Sequence, residues 1–218
     1  MTIRTVSARS SLLIAGFLAA GLLALASCTS VRTDTSPNDA VRQKVHWSFE
    51  KRSVKLDISA DLDLNRSDNR PHTLVVGIME FQDPNAFQAI IQDPDMAMET
   101  LAAGKKRNGI LGMWRFIIPP GAHQLLTVDR LKHAKYLGVV AGYSGYSSKQ
   151  DIVLRPLPVL VKRSGIVFRS NHYLPARTYA SIWLGSRHLL GVAILDNRAK
   201  EKAERQHSRE RGQKSQPL

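Results

Sequence analysis

The only cysteine of the chain, Cys28, is the residue whose chemistry the sequence singles out first. It follows an uncharged apolar run, residues 12–26, and the small residues Ala26 and Ser27 come directly before it. A basic head, a short apolar stretch and small residues before a cleavage point are typical of a secretory signal. The sequence therefore predicts export, with residues 1–27 as a signal peptide.

The four residues Leu25-Ala26-Ser27-Cys28 resemble the lipobox of bacterial lipoproteins. The resemblance implies cleavage before Cys28 and a covalent lipid on its sulfur, so residues 28–44 are expected to form a lipidated, flexible tether. Thr29 replaces the aspartate that favours inner-membrane retention in those lipoproteins, which implies the periplasmic face of the outer membrane. The alternatives are a cytosolic protein or an uncleaved anchor, although a run of 15 apolar residues is short of the roughly 20 that span a bilayer.

Two glycine-containing segments come close to enzyme motifs and fail on spacing or residue type. Ser144 lies in Gly-Tyr-Ser-Gly-Tyr, which departs from the nucleophile elbow at its last position. That elbow also needs a turn from a strand into a helix. Gly104 and Gly109 have the spacing of a phosphate-binding loop, but Ile110 and Leu111 stand where the lysine and the hydroxyl residue are required. Neither segment predicts catalysis.

Histidines and carboxylates form no recognisable metal or acid–base set in the sequence. None of the seven histidines is paired at a spacing such as His-x-x-x-His. Asp57, Asp61 and Asp63 alternate with apolar residues, as charges on the wet face of a strand do. We therefore expect no enzyme, no metal, no small-molecule substrate and no cofactor apart from the lipid on Cys28.

The chain is strongly basic, with a formal charge of +13, or +11 without Arg4 and Arg9 of the signal. Such a charge suits nucleic acid, an anionic membrane or an acidic partner. Export argues against nucleic acid and favours a basic surface near anionic envelope components. With one cysteine, the fold must be stable without disulfides.

Residues 54–64 alternate without exception between apolar and polar side chains, which predicts a strand with one buried face. A second strand is predicted at residues 73–81, followed by two short helices that begin near Asp83 and Asp93. Further strands are predicted at residues 114–118, 124–128, 136–143, 165–169, 179–184 and 189–195, with one at 151–161 broken by two prolines. The pattern predicts a mainly β, two-sheet β-sandwich of seven or eight strands over residues 45–195, with one or two small added helices. Residues 196–218 are expected to form a charged, disordered tail.

Several segments together resemble one protein family. They are Leu62-Asp63-Leu64-Asn65, Arg70-Pro71 before the second strand, Phe87, Pro119-Pro120-Gly121 and, most specifically, the run Ala-Lys-Tyr-Leu-Gly-Val-Val-Ala at residues 134–141. On these residues the chain is identified as a divergent member of the outer-membrane lipoprotein family of type VI secretion systems (TssJ, or VasD-like). The resemblance spans residues 54–159 and implies a β-sandwich that assembles a membrane complex without doing chemistry.

The family resemblance also implies a partner and a contact site. The partner is the periplasmic C-terminal region of the inner-membrane protein TssM, and the loop between the first two strands contributes to the contact. Its counterpart here comprises Asn65, Arg66, Ser67, Asp68, Asn69 and Arg70. Three alternatives stay open: this loop is an ordinary solvated turn, the domain is a periplasmic module that binds a small ligand or envelope glycan, or it is a hydrolase of unrecognised type.

Overall fold

The computed structural model describes residues 30–104, 106–147, 149–165 and 170–196. The described chain falls into two compact units: residues 30–31 with 162–172, and residues 32–161 with 173–196. Cys28, the three residues before it and the predicted tail at 197–218 lie outside the described residues. No helix in the described part is long and apolar enough to cross a membrane.

Fourteen helices and strands are defined within the described residues. In chain order they are β1 (Ser30–Asp34), α1 (Asp39–Gln43), β2 (Glu50–Ala60), β3 (Leu74–Phe81), α2 (Pro84–Gln92), α3 (Pro94–Ala103), β4 (Ile110–Ile118), β5 (His123–Arg130), β6 (Tyr136–Ala141), β7 (Ile152–Pro156), β8 (Val159–Ser164), β9 (Ser170–Pro175), β10 (Thr178–Leu184) and β11 (Leu189–Asp196). Two sheets have four strands each, in the orders β11-β10-β2-β5 and β4-β3-β6-β7, and a third has the order β1-β8-β9.

The β-sandwich prediction is confirmed. Alternate residues of β2 and β10 from one four-stranded sheet share a buried core with alternate residues of β3 and β6 from the other. The two predicted short helices are α2 and α3, and each begins after an aspartate whose side chain accepts a backbone N–H. The three-stranded sheet is an addition that the sequence pattern does not reveal.

The strand predicted at residues 54–64 is buried on one face but ends early. Val54, Leu56 and Ile58 are fully buried, as the alternation predicts. The strand stops at Ala60 because the N–H of Leu64 donates to the carbonyl of Asp61 (3.1 Å), which turns the chain. Leu64 still reaches the core, whereas Leu62 is 83% exposed.

The prediction of one broken strand at residues 151–161 is wrong. β7 is an edge strand beside β6, whereas β8 lies between β1 and β9 in the third sheet. The N–H of Leu157 still donates to the carbonyl of Lys135 (2.9 Å), in register with β6, whereas the carbonyl of Pro158 accepts the N–H of Ala176 (3.0 Å), so the chain changes partners between these two residues. The strand predicted at 165–169 lies outside the described residues from position 166 on.

The tether expected over residues 28–44 contains regular elements from Ser30 onward. α1 begins because the side chain of Asn38 accepts the N–H of Val41 (2.9 Å). Arg42 on this helix is buried, and its guanidinium lies 4.5 Å from the centre of the Tyr136 ring. Because the residue that docks this segment is an arginine, a search for apolar periodicity does not detect it.

A second core holds α2 and α3 against the outer side of β3 and β6. The ring of Phe87 on α2 meets the ring of Phe81 edge to face, with 5.4 Å between centroids. Gly138 on β6 makes this contact possible, since a Cβ there would lie 2.8 Å from the Phe81 ring and 3.0 Å from the Phe87 ring. This close approach explains the glycine in the run at residues 134–141.

Candidate functional site

Four connections between strands meet at the end of the larger unit where β2 finishes. We call them the tip: residues 61–73, 119–122, 142–147 with 149–151, and 185–188. Residues 61–73 join the two sheets and contain the predicted contact loop. The N–H of Gly121 donates to the carbonyl of Asp61 (2.8 Å), so the first two connections are bonded directly.

The outermost part of the contact loop is a tight hairpin. Ser67 and Arg70 exchange backbone hydrogen bonds of 3.0 and 2.9 Å. Asp68 and Asn69 between them have φ values of 51° and 59°. Two consecutive residues with positive φ are the mark of a type I′ turn, which Asn, Asp and Gly adopt most readily. The loop is therefore a defined turn that presents the side chains of Asp68 and Asn69 to solvent.

Asn65 supports this hairpin from below. It is only 7% exposed, and its φ is 48°. Its side-chain nitrogen donates to the carbonyl of Thr73 (3.2 Å), which ties the start of the loop to its end. Its side-chain oxygen accepts the backbone N–H (2.9 Å) and the hydroxyl (3.2 Å) of Ser144. The structure thus places Asn65 as a support of the loop and Ser144 as its bonding partner.

Arg66 and Arg70 are the exposed cations of the loop. The backbone N–H of Arg66 donates to the carbonyl of Ser186 (2.7 Å), so the loop is also bonded to the turn between β10 and β11. Its guanidinium pairs with the carboxylate of Asp63 (2.9 Å) at the surface. Exposed pairs of this kind contribute little to stability, which leaves both charges available to a partner.

A buried carboxylate holds the other tip connections together. Asp151 accepts the backbone N–H of Ser147 (2.8 Å) and of Leu189 (3.0 Å), and Nδ1 of His188 lies 3.2 Å from it. The hydroxyl of Tyr143 donates to the carbonyl of Gly185 (3.0 Å). Burial raises the pKa of Tyr143 far above its usual value, so this hydroxyl keeps its proton at neutral pH.

Apolar side chains at the tip were not anticipated as site residues. Leu62, Ile117 and Leu190 are 83%, 70% and 68% exposed, and all three lie in or beside the tip connections. The alternation in the sequence assigns Leu62 to the buried face, so periodicity points the wrong way here.

Two open clefts lie away from the tip. One, of about 310 Å³, is lined by α1, the start of α2 and Tyr136, whose ring is already covered by Arg42. The other, of about 490 Å³, lies beside the end of α3 and is lined by Glu99, Thr100, two alanines, Lys106 and Arg107. Neither contains a tryptophan. Among the described residues no group of three or more His, Cys, Asp or Glu side chains is placed to hold a metal.

Solved structures of similar fold include the T6SS lipoprotein TssJ1 from Pseudomonas aeruginosa, with 17% identity and a TM-score of 0.45 over 68% of this chain and 96% of that one. A structure described as the T6SS protein TssM C-terminal domain from EAEC has 20% identity and a TM-score of 0.43 over 65% of this chain and 96% of that one. Serratia marcescens Lip, a membrane-bound component of the type VI secretion system, has 18% identity and a TM-score of 0.43 over the same shares. No curated protein matches the sequence significantly.

A family model for the type VI secretion lipoprotein, described as VasD, EvfM, TssJ and VC_A0113, matches residues 52–164. The match covers just over half of the chain and includes the contact loop, the hairpin turn and the run at residues 134–141. The chain therefore belongs to the type VI secretion lipoprotein family.

Proposed function

We propose that this protein is a non-enzymatic assembly subunit of the type VI secretion membrane complex. It is anchored by a lipid on Cys28 at the periplasmic face of the outer membrane and recruits the periplasmic C-terminal region of TssM through its tip. The observation that carries this proposal is that the tip loop lies inside the family match and is held as a rigid, exposed turn.

The tip has the properties of a preformed binding surface. Its loop is tied to three neighbouring connections by the hydrogen bonds of Asn65, Arg66 and Asp61. A loop that is already ordered loses little conformational entropy when it binds, so more of the contact energy appears as affinity. Exposed apolar side chains beside arginines supply the anchor and the charge that interfaces use.

The anchor at Cys28 follows from the lipobox resemblance and from the physics of acyl chains. A single chain holds a protein to a membrane only marginally, at about 0.8 kcal/mol per buried methylene, and stable anchoring needs a second signal. A cysteine that carries several acyl chains, as the resemblance implies, meets that need. We expect Cys28→Ser to remove the protein from the outer-membrane fraction. Sedimentation of the variant with that fraction would contradict lipid anchoring.

The partner proposal is tested by capture of a purified TssM periplasmic fragment on the immobilised protein. We expect Arg66→Ala with Arg70→Ala to weaken capture about tenfold or more, since arginines at an interface commonly contribute at this level. Lys55→Ala with Lys162→Ala removes the same charge from exposed positions outside the tip and serves as the matched control. Equal capture by both variants would rule out this loop as the contact.

The second candidate function, binding of a small ligand or envelope glycan, would use the cleft beside Tyr136. Sugar sites usually present an uncovered aromatic face, whereas Arg42 covers this ring. Titration calorimetry with envelope sugars separates the two functions, because measurable binding would favour the ligand-binding module.

A further inference from the structure

An exposed phenylalanine with several cations lies at the opposite end of β2 from the tip. β2 runs from Glu50 to Ala60, about 30 Å at the usual rise per residue. Phe49, directly before the strand, is 54% exposed. We call residues 47–52, 129–133 and 176–177 the Phe49 patch.

Hydrogen bonds from two backbone N–H groups fix the two sides of this patch. The N–H of His133, after β5, donates to the carbonyl of Trp47 (2.9 Å). The N–H of Arg52 donates to the carboxylate of Asp129 (2.7 Å). The segment that carries Phe49 is therefore held in place.

A buried arginine lies under the patch and neutralises Glu50, one of its two carboxylates. Arg130 pairs with Glu50 (2.9 Å) and donates to the carbonyl of Ala176 (3.2 Å). The exposed Arg177 pairs with the second oxygen of Glu50 (3.0 Å). Glu50 thus adds little negative potential to the surface.

The patch is cationic and the tip is not. The patch contains five Lys or Arg and two carboxylates, whereas the tip contains four of each sign. Lys51, Arg52 and Lys132 are exposed and form no ion pair within the described ranges. Their charges face solvent uncompensated.

We propose that the Phe49 patch docks on an anionic phospholipid surface and so orients the domain. Each Lys or Arg near such a surface contributes attraction, and an aromatic ring beside the cations inserts at the headgroup level. The segment that leads back toward Cys28 leaves the patch at Trp47. The indole of Trp47 donates to the carbonyl of Arg42 (2.9 Å), and the guanidinium of Arg42 donates to the carbonyl of Pro37. This inference rests on the lipid anchor of the proposed function. It adds that patch contact turns the tip away from the membrane, toward a periplasmic partner.

The test compares the full lipidated chain in vesicles of phosphatidylcholine and in vesicles that also contain phosphatidylglycerol. Hydrogen exchange at residues 47–52 and 131–133 is expected to be slower by about fivefold or more with phosphatidylglycerol, and residues 62–70 are expected not to change. Phe49→Ser with Lys51→Gln and Lys132→Gln should abolish the difference. The matched control, Leu125→Ser with Lys55→Gln and Lys149→Gln, loses one exposed apolar side chain and two positive charges outside the patch and should keep the difference.

The possible results test docking by the patch separately from lipid anchoring and from TssM binding. Equal exchange of the wild-type chain in both vesicle types would overturn membrane docking, and so would loss of TssM capture by the Phe49 variant. A chain that failed to float with phosphatidylcholine vesicles would instead contradict lipid anchoring. In that case flotation with phosphatidylglycerol vesicles still tests whether the patch binds an anionic lipid surface.

Discussion

The side-chain oxygen of Asn65 accepts two hydrogen bonds from Ser144, although 79 residues separate the two in sequence. Asn65 begins the contact loop, and Ser144 lies in the connection between β6 and β7. This pair joins the two sheets of the sandwich at the tip. The geometry of the proposed binding surface therefore depends on a buried amide.

Replacement of Asn65 should lower both stability and capture. Asn65→Gly keeps the positive φ but removes the three hydrogen bonds that the buried amide makes with Ser144 and Thr73, which costs about 1–3 kcal/mol. Asn65→Ala adds left-handed strain of roughly 1–2 kcal/mol. Urea unfolding measures the stability loss of the two variants, and capture of the TssM fragment measures their loss of binding. Asn69→Gly, at an exposed turn position with positive φ, is the control and should change stability little; equal losses in all three variants would contradict the support role.

Leu62 should matter for binding and not for folding. Because its side chain is 83% exposed, Leu62→Ala is expected to change the free energy of unfolding by less than about 0.5 kcal/mol. Loss of an apolar anchor in an interface commonly costs 1–2 kcal/mol, or about 5- to 30-fold in capture of the TssM fragment. Leu125→Ala, 70% exposed on β5, is the matched control. Unchanged capture by Leu62→Ala would exclude it from the interface.

Gly138 should not tolerate a methyl group. Gly138→Ala places a Cβ against the Phe81 and Phe87 rings, and overpacking of this kind costs about 1–3 kcal/mol. Gly145→Ala is the internal control, since nothing lies within 4 Å of its Cβ position. Thermal melts of the two variants should differ clearly. Phe87→Leu in the Gly138→Ala background should recover part of the loss, and coincident melts would contradict the packing argument.

Glu80 should make stability fall as the pH rises through neutrality. Its side chain is fully buried and accepts the N–H of Leu131 (2.8 Å), while its other oxygen has no partner among the described residues. Burial raises the pKa of Glu80 from 4.5 to about 8. Between these values the native state keeps a proton that the unfolded state has lost, so stability decreases by up to roughly 1.4 kcal/mol per pH unit.

Glu80→Gln isolates this effect, because the amide keeps an acceptor for Leu131 and does not titrate. The free energy of unfolding, measured by urea from pH 5 to 10, should slope downward up to about pH 8 for the wild type and more gently for the variant. The wild-type slope should level off above pH 8. Parallel curves would show that Glu80 titrates normally in the folded protein.

The sequence predicts the sandwich well where one face is apolar and the other polar. Val54, Leu56 and Ile58 alternate with charged residues, so β2 and its buried face follow directly. The alternation of apolar and polar residues continues to Leu62 and Leu64, but the strand does not. A turn closed by the hydrogen bond between Leu64 and Asp61 ends it after Ala60. Turn chemistry overrides periodicity at that point.

Features that depend on buried polar groups could not be predicted from periodicity. α1 is docked by a stacked arginine, Arg42, and the tip is organised by Asn65 and Asp151. Each of these residues belongs to a type that is usually exposed. The family resemblance predicted residues 65–70 as the contact loop, whereas the division of that loop into support and exposed turn required the structure.

β2 pairs in parallel with β10, and the paired residues Val54 and Thr178 are about 120 positions apart in sequence. Closing so long a loop is entropically costly and makes folding slow. This sheet cannot acquire its central pair until residue 184 is available, so a chain still attached to the ribosome before that point has no complete sandwich. The topology therefore delays completion of the fold until the whole domain has been synthesised.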